Sequence, residues 1–405
     1  MQRIYLDHNS STPVDPEVVK AMLPFFTEYF GNPSNIHSFG RDSREAIAQA
    51  RDHVAGFLNA DPEEIFFTSS GSEADNWAVK GVAAALADKG RHIILSPIEH
   101  SAIAGTCQYL GNHGFEISQP DVDSTGLVNP DDIAKLIRKD TILVTVMLAN
   151  NEIGTIEPLA DIARVCRERG VICHTDAVAA ATKTDTDVKA LGVDMLTISG
   201  HKIHGPKGIG VLYIRKDTEI HPLIHGGHQE RGLRAGTENL AGIVGLGRAC
   251  EIAQGRWRAE AAQIQELRDY LHKLITERIE EVHFNGHPTL RLCNTLNIGV
   301  GYVEGESLLV SLDLDGVAVA SGSACSAGEA GASATLAAIG IPPQFLNSPL
   351  RFSLGRENTR QEIEHTVDVL ANVVKRLRDI SPIWKDRGKR FYPTPPETCA
   401  TGEGR

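Results

Sequence analysis

The sequence predicts an α/β protein with a mostly parallel sheet covered by helices, followed by a smaller α+β domain. Three observations predict it. Between about residues 60 and 215, short apolar runs alternate with helical patterns, the signature of a parallel sheet with crossover helices. Polar residues of distinct types stand directly after several of these runs. After Thr237 the pattern gives way to charged helices with few, short strands.

The elements follow in order. Ile65 to Phe67 reads as a buried strand. Ala74, Trp77, Ala78, Gly81, Val82 and Ala85 then recur at helical spacing. His92 to Leu95 and Ile142 to Leu148 are further strands, and Leu159 to Arg169 is a helix. Val171 to His174, Met195 to Ser199 and Ile209 to Ile214 complete the strand series. Leu240 to Cys250 and Arg256 to Ile279 read as two separate helices. Thr295 to Ile298 and Ala318 to Ala320 read as short strands, and Arg360 to Leu377 as a charged helix. A second domain is expected to start near residue 260. The tail from Ser381, with Pro382, Pro393, Pro395 and Pro396, is expected to be mobile or to bind a partner.

A length of 405 residues suits two domains. The net charge of -12 argues against a nucleic-acid binder, whose footprint would be basic. The longest apolar run, Ile142 to Ala149, is far too short to span a membrane. Met1 to His8 carries no apolar signal region, so a cytoplasmic location is expected. The seven cysteines are scattered and form no C-x-x-C pair. That excludes a disulfide framework and a cysteine zinc site. His201-x-x-His204 and His225-x-x-His228 lack a third ligand pattern, so no intrinsic metal is expected.

Five features carry chemistry. Thr68–Ser69–Ser70–Gly71–Ser72 lies between a strand and a helix, where backbone N–H groups and the helix dipole suit an anion; a plain serine N-cap is the simpler alternative. His100 follows a strand and could stack on a flat ring or move protons, or be structural. Asp176 ends a strand and could partner a protonated ring nitrogen, or cap a helix. Lys202, in Ser199–Gly200–His201–Lys202, follows a buried strand, where a desolvated amine can be a nucleophile. Together these four describe a site for pyridoxal phosphate. Cys325 lies in Ser321–Gly322–Ser323–Ala324–Cys325–Ser326, which reads as an exposed loop where a thiol can ionise. For an isolated cysteine a buried thiol is the plainer reading.

The chain resembles the NifS/IscS group of cysteine desulfurases, among the class-V aminotransferase-like enzymes of fold type I. The resemblance runs from about residue 4 to 385. It rests on Tyr5–Asp15, Phe30–Ser34, Ser199–Gly208, Arg231–Thr237 and Ser321–Ser326. It implies the pyridoxal-phosphate-dependent transferase fold. A large domain over 15–260 would carry a mostly parallel seven-stranded sheet. Residues 1–14 and 261–380 would form the small α+β domain bearing the Cys325 loop, and 381–405 a flexible tail.

The resemblance also implies roles. Lys202 would hold the cofactor covalently, Asp176 would pair with its ring nitrogen, and His100 would stack on the ring and move protons. Asn151 would lie near the ring hydroxyl and the substrate. Gly71, Ser72, Ser199 and His201 would hold the phosphate. Thr237 would reach the phosphate of a neighbouring subunit, making a homodimer. Arg351 would clamp the substrate carboxylate in a bidentate fork; alone it could be a surface ion pair. Cys325 would take the sulfur of L-cysteine as a persulfide and pass it to an iron–sulfur scaffold or another acceptor. It would meet a metal only through that persulfide, at a transient iron–sulfur cluster. Two positions depart. Ala179 stands where the group has a glutamine bonding the ring hydroxyl, and Ser72 where many relatives have threonine. A selenocysteine lyase or aminotransferase on the same scaffold, and a sulfur-relay subunit of low activity, are the rival readings.

Overall fold

The computed structural model describes residues 3–321 and 333–385. The chain opens with a two-residue strand, β1 (Ile4–Tyr5). The central sheet then takes its seven strands in sequence: β2 (Ile65–Thr68), β3 (His92–Leu95), β4 (Glu116–Ser118), β5 (Thr141–Thr145), β6 (Ile172–Asp176), β7 (Met195–Ser199) and β8 (Gly210–Ile214). Their spatial order is β2-β8-β7-β6-β5-β3-β4. Only β8 runs against its neighbours; the other six strands are parallel. Every residue of β2, β3, β5, β7 and β8 is buried. That explains why they read as unbroken apolar runs: helices cover both sheet faces.

Alternate residues face alternate cores. Leu196 and Ile198 join Val144, Val211 and Tyr213 in one core, closed by Val54 and Leu58 of the helix Ser38–Leu58. Met195 joins Ile93, Leu143 and Leu212 in the other, under Trp77 and Val82 of the helix Gly71–Ala85.

A second assembly uses β9 (Val282–Asn285), β10 (Thr295–Val300), β11 (Val317–Ala318) and β12 (Pro349–Ser353). The antiparallel order is β12-β10-β9, and β1 pairs in parallel with β11. Ile4 and Leu6 therefore pack with Leu296, Leu350, Phe352 and Val367 in a separate core.

One expectation is corrected. The two helices read over 240–250 and 256–279 are one helix, Leu240–Arg278, of 39 residues. Gly255 interrupts the sequence pattern and costs about 1 kcal/mol against alanine, but it leaves the backbone ladder intact. The helix stays whole because its first half buries Ile243 and Leu246 in the sheet core, and its second buries Leu271 and Ile275 in the other core. The tail from Ser381, expected to be mobile or to bind a partner, begins with a helical turn, Pro382–Lys385, and lies outside the described residues from 386 on. Trp384 there packs edge-on against Tyr302, and the Arg378 guanidinium lies 4.3 Å from its ring centre.

Candidate active site

The parallel strands deliver their carboxyl ends to one edge of the sheet, where ligands of open α/β folds bind. A cavity of about 540 Å³ opens there, a size suited to a cofactor with a small substrate. It has three zones.

The first is an anion cup. Ser70 caps the helix Gly71–Ala85 by accepting from the Glu73 N–H at 3.1 Å. Gly71 and Ser72 thus line the cavity from the helix N-terminus, opposite Ser199 and His201. Lys207 and Gly208 line the same end because β8 runs backwards and starts at this edge. Gly210 must be glycine: a Cβ there would lie 2.5 Å from the Ser70 backbone. Burial first, then Lys202, Lys207 and Lys183, hold the His201 imidazole down to about 4. It is a neutral hydrogen-bonding group at pH 7.

The second zone is the ring pocket. Asp176 ends β6 and is 5% exposed. Its Oδ1 accepts from the Val178 N–H at 2.8 Å. Burial raises this carboxyl above the usual aspartate range, while His100, the Val178 N–H and Lys202 pull it back. His100 caps the helix Ser101–Gly111 through Nδ1, 3.2 Å from the Ala102 N–H. Lys202 closes a tight turn, Gly200–Lys202, directly after β7. Its Nζ donates to the Asn9 carbonyl and, at 3.1 Å, to the Ser10 carbonyl. Ala179 lines the cavity beside Val178.

The third zone is the carboxylate end. Arg351 projects from β12 and is 3% exposed. Nη2 donates to Asp7 Oδ1 at 2.8 Å and to Ser10 Oγ at 2.9 Å, and Nη1 donates to the Asn151 carbonyl at 3.1 Å. Asn9 ties the zone together. Its Nδ2 donates to Thr295 Oγ1 and to the Asn151 carbonyl, and its Oδ1 accepts from Asn294.

These donors fit pyridoxal phosphate on structural grounds alone. A helix N-terminus with a neutral imidazole and a lysine matches a phosphate, a buried carboxylate matches a protonated ring nitrogen, and a lysine amine matches an aldehyde.

Comparison with known proteins agrees. A family model described as Aminotransferase class-V matches residues 4–366. The chain belongs to the class-V aminotransferase family. A protein named cysteine desulfurase IscS from Dictyoglomus turgidum is 49% identical, over 95% of this chain and 98% of that one. A cysteine desulfurase IscS from Methanosarcina thermophila is 48% identical, over 94% of each chain. Among solved structures, a NifS-like protein superposes with a TM-score of 0.88 at 37% identity, covering 93% of this chain and all of that one. A structure described as SspA in complex with cysteine gives 0.78 at 36% identity, covering 88% of this chain and 100% of that one. The fold is the fold type I of NifS-like enzymes, and enzymes of this family use pyridoxal phosphate.

Against this class-V frame, the structure brings Gly71, Ser72, His100, Asn151, Asp176, Ser199, His201, Lys202 and Arg351 to one cavity. Thr237 is elsewhere. It lines a separate hollow of about 160 Å³ with Ser69, Arg234 and Asn239. Cys325 lies outside the described residues. Sequence reasoning missed the roles of Asp7, Asn9, Ser10, Asp75 and Lys207. The signal for the first three was a polar run straight after an N-terminal strand. For Asp75 it was an acid set in the apolar stripe of Gly71, Ala78 and Val82.

Proposed function

We propose that this chain is a cysteine desulfurase that uses pyridoxal phosphate to move the sulfur of L-cysteine onto Cys325. One observation carries the reading: Lys202, Asp176 and His100 converge on a cavity with an anion cup at one end and Arg351 at the other. Lys202 holds the cofactor aldehyde through Nζ, and the cup residues hold its phosphate. Asp176 keeps a proton on the ring nitrogen. Pyridoxal phosphate, when bound, supplies an electron sink for charge released at the substrate α-carbon. Arg351, held by Asp7 and Ser10, orients the substrate carboxylate. Lys202 Nζ or His100 takes the α-proton. The Cys325 thiolate attacks the substrate sulfur; an S–S bond forms, the substrate Cβ–S bond breaks, Cβ takes a proton, and a proton returns to Cα. Cysteine and a thiol become alanine and a persulfide, with no outside oxidant.

The relatives named IscS and the structure of SspA with cysteine support this substrate. The two apolar cores support a large unit over 15–260 and a small one formed by 1–14 with 261–380. Thr237 lies away from the cavity, which supports its serving a second subunit in a homodimer. We assign the persulfide to iron–sulfur assembly and the enzyme to the cytoplasm. No helix among the described residues is long and apolar enough to cross a membrane.

The test is product analysis with added pyridoxal phosphate. Cys325→Ala should keep the visible cofactor band and stop alanine and sulfide release from L-cysteine. Lys202→Ala should lose covalent attachment. Alanine release at full rate from Cys325→Ala would overturn the sulfur-transfer scheme.

A further inference from the structure

A polar layer lies under Asp176 where the sheet face should be apolar. Thr145 pairs with His174 across β5 and β6, and Thr197 of β7, whose ladder partner is Asp176, reaches the same imidazole; all three are fully buried. Nδ1 of His174 is 2.9 Å from Thr145 Oγ1, and Nε2 is 3.2 Å from Thr197 Oγ1. Asp75 descends on this row from the helix Gly71–Ala85 and is 1% exposed. Its Oδ1 is 3.8 Å from His174 Nε2 and has no hydrogen-bond partner among the described residues. One side-chain N or O atom from each of Asp75, His100 and Asp176 lies within 4.8 Å of the other two. A third acid, Glu99, accepts from the Met147 N–H through Oε1 at 2.6 Å, and its Oε2 has no partner among the described residues.

Neighbouring carboxylates in a dry pocket cannot all ionise. Their surroundings decide which keeps the charge. Asp176 has a backbone N–H and, nearby, His100 and Lys202. Asp75 faces His174, whose two nitrogens are both taken by threonine hydroxyls. Burial also drives the His174 imidazole down to about 3, so it offers no cation. Among the described residues, Glu99 has one backbone N–H and no cation beside it.

We propose that Asp75 is a positioning residue that works as a neutral acid, leaving Asp176 as the one anion facing the cofactor ring nitrogen. The proposal rests on the cofactor site of the proposed function. Burial, then the charge of Asp176, push the Asp75 carboxyl well above its ordinary range against the pull of the Thr197 hydroxyl, in agreement with the geometry. As a neutral acid Asp75 turns a polar O–H group toward the Asp176 side of the pocket, and an amide can imitate that while a methyl cannot.

The test compares Asp75→Asn and Asp75→Ala in the pyridoxal-phosphate-loaded enzyme. Three readouts are followed: cofactor affinity by absorbance titration, the pH midpoint of the visible band, and kcat against KM for L-cysteine. Asp75→Asn should keep affinity and kcat within about threefold of the parent, with the midpoint unmoved. Asp75→Ala should lose about tenfold in cofactor affinity and kcat, with KM nearly unchanged. An Asp75→Asn midpoint shifted by about one pH unit or more would show a working charge and overturn the proposal. So would two variants that are equally impaired, or equally unimpaired. If Asp75→Ala does not fold, the Asp75→Asn midpoint decides alone. A parent protein with no visible band on adding the cofactor would instead sink the cofactor reading itself.

Discussion

Gly200 sits between β7 and Lys202, and its replacement by alanine tests whether the lysine turn is as tightly built as the structure shows. A Cβ at 200 would lie 2.8 Å from Ile209 Cγ2 and 2.8 Å from the Pro206 carbonyl oxygen. The isoleucine methyl can yield. The carbonyl cannot, because it belongs to backbone, and the Gly205 N–H also donates to the Gly200 carbonyl at 2.9 Å. Overpacking of this kind costs about 1–3 kcal/mol, and relief requires the Gly200–Lys202 turn to move. A shift of about 1 Å at Lys202 is enough to cost on the order of 100-fold in rate. Gly255→Ala is the matched control. Nothing lies within 4 Å of its added methyl, and it sits inside the helix Leu240–Arg278. Alanine there should stabilise by about 0.5–1 kcal/mol. Denaturant midpoints should therefore move in opposite directions, and only Gly200→Ala should lose cofactor absorbance and turnover. Parent-like cofactor binding in Gly200→Ala would refute the close-packed turn.

Three further outcomes follow. Arg351→Lys forfeits the planar fork that meets Asp7, Ser10 and Asn151. Its kcat/KM for L-cysteine should fall about 100-fold with the cofactor band retained, as steady-state kinetics will show. If Thr237 serves a second subunit, mixing Thr237→Ala with Lys202→Ala chains should regenerate one intact site per mixed dimer; activity that stays at the level of the parents would count against the exchange. Stability should also fall in mild acid. Burial holds His8 down to about 4, below an unfolded value near 6.5. The unfolded chain therefore takes up the proton first, and the penalty grows as pH falls from 6.5 towards 4, reaching about 3 kcal/mol. Denaturation midpoints measured over pH 7 to 5 should drop, and His8→Gln should flatten the slope.

The central sheet was legible because strands buried on both faces must be apolar throughout, so β2, β3, β5, β7 and β8 carry their own signature. Lys202, Asp176 and His100 were legible because each stands at or soon after the carboxyl end of a largely apolar strand: β7, β6 and β3. What the sequence hid depends on partners far away along the chain. Asp7 pairs with Arg351 and the Asn9 N–H meets Ser353 Oγ, each across 344 positions. No local periodicity records such a bond. β1 is only two residues, too short for any pattern, and it exists because it pairs with β11, the strand read near Ala318. The split reading of the 39-residue helix failed for the opposite reason. The change from an apolar to a charged pattern after Cys250 was visible, while the two cores that hold the helix together across it were not.

The stretch from Asp7 to Ser10 binds the site into one mechanical unit. The Asn9 and Ser10 carbonyls accept from Lys202 Nζ, and Asp7 Oδ1 and Ser10 Oγ accept from Arg351. Asp7, Asn9 and Ser10 thus hold the lysine proposed to carry the cofactor and the arginine proposed to orient the substrate, and Ser10 touches both. With Lys202 holding the cofactor, its Nζ would give up donors to those carbonyls, while Ser10 Oγ would still accept from Arg351. Cofactor loading and carboxylate recognition should therefore be coupled through Ser10. In Ser10→Ala the Arg351–Asp7 pair survives, but one of the two links between lysine and clamp is gone. KM for L-cysteine should then rise by about tenfold, the loss of one charge-assisted hydrogen bond of about 1.5 kcal/mol, while cofactor affinity changes little. An equal loss in cofactor affinity would place Ser10 in the lysine's support rather than the clamp's.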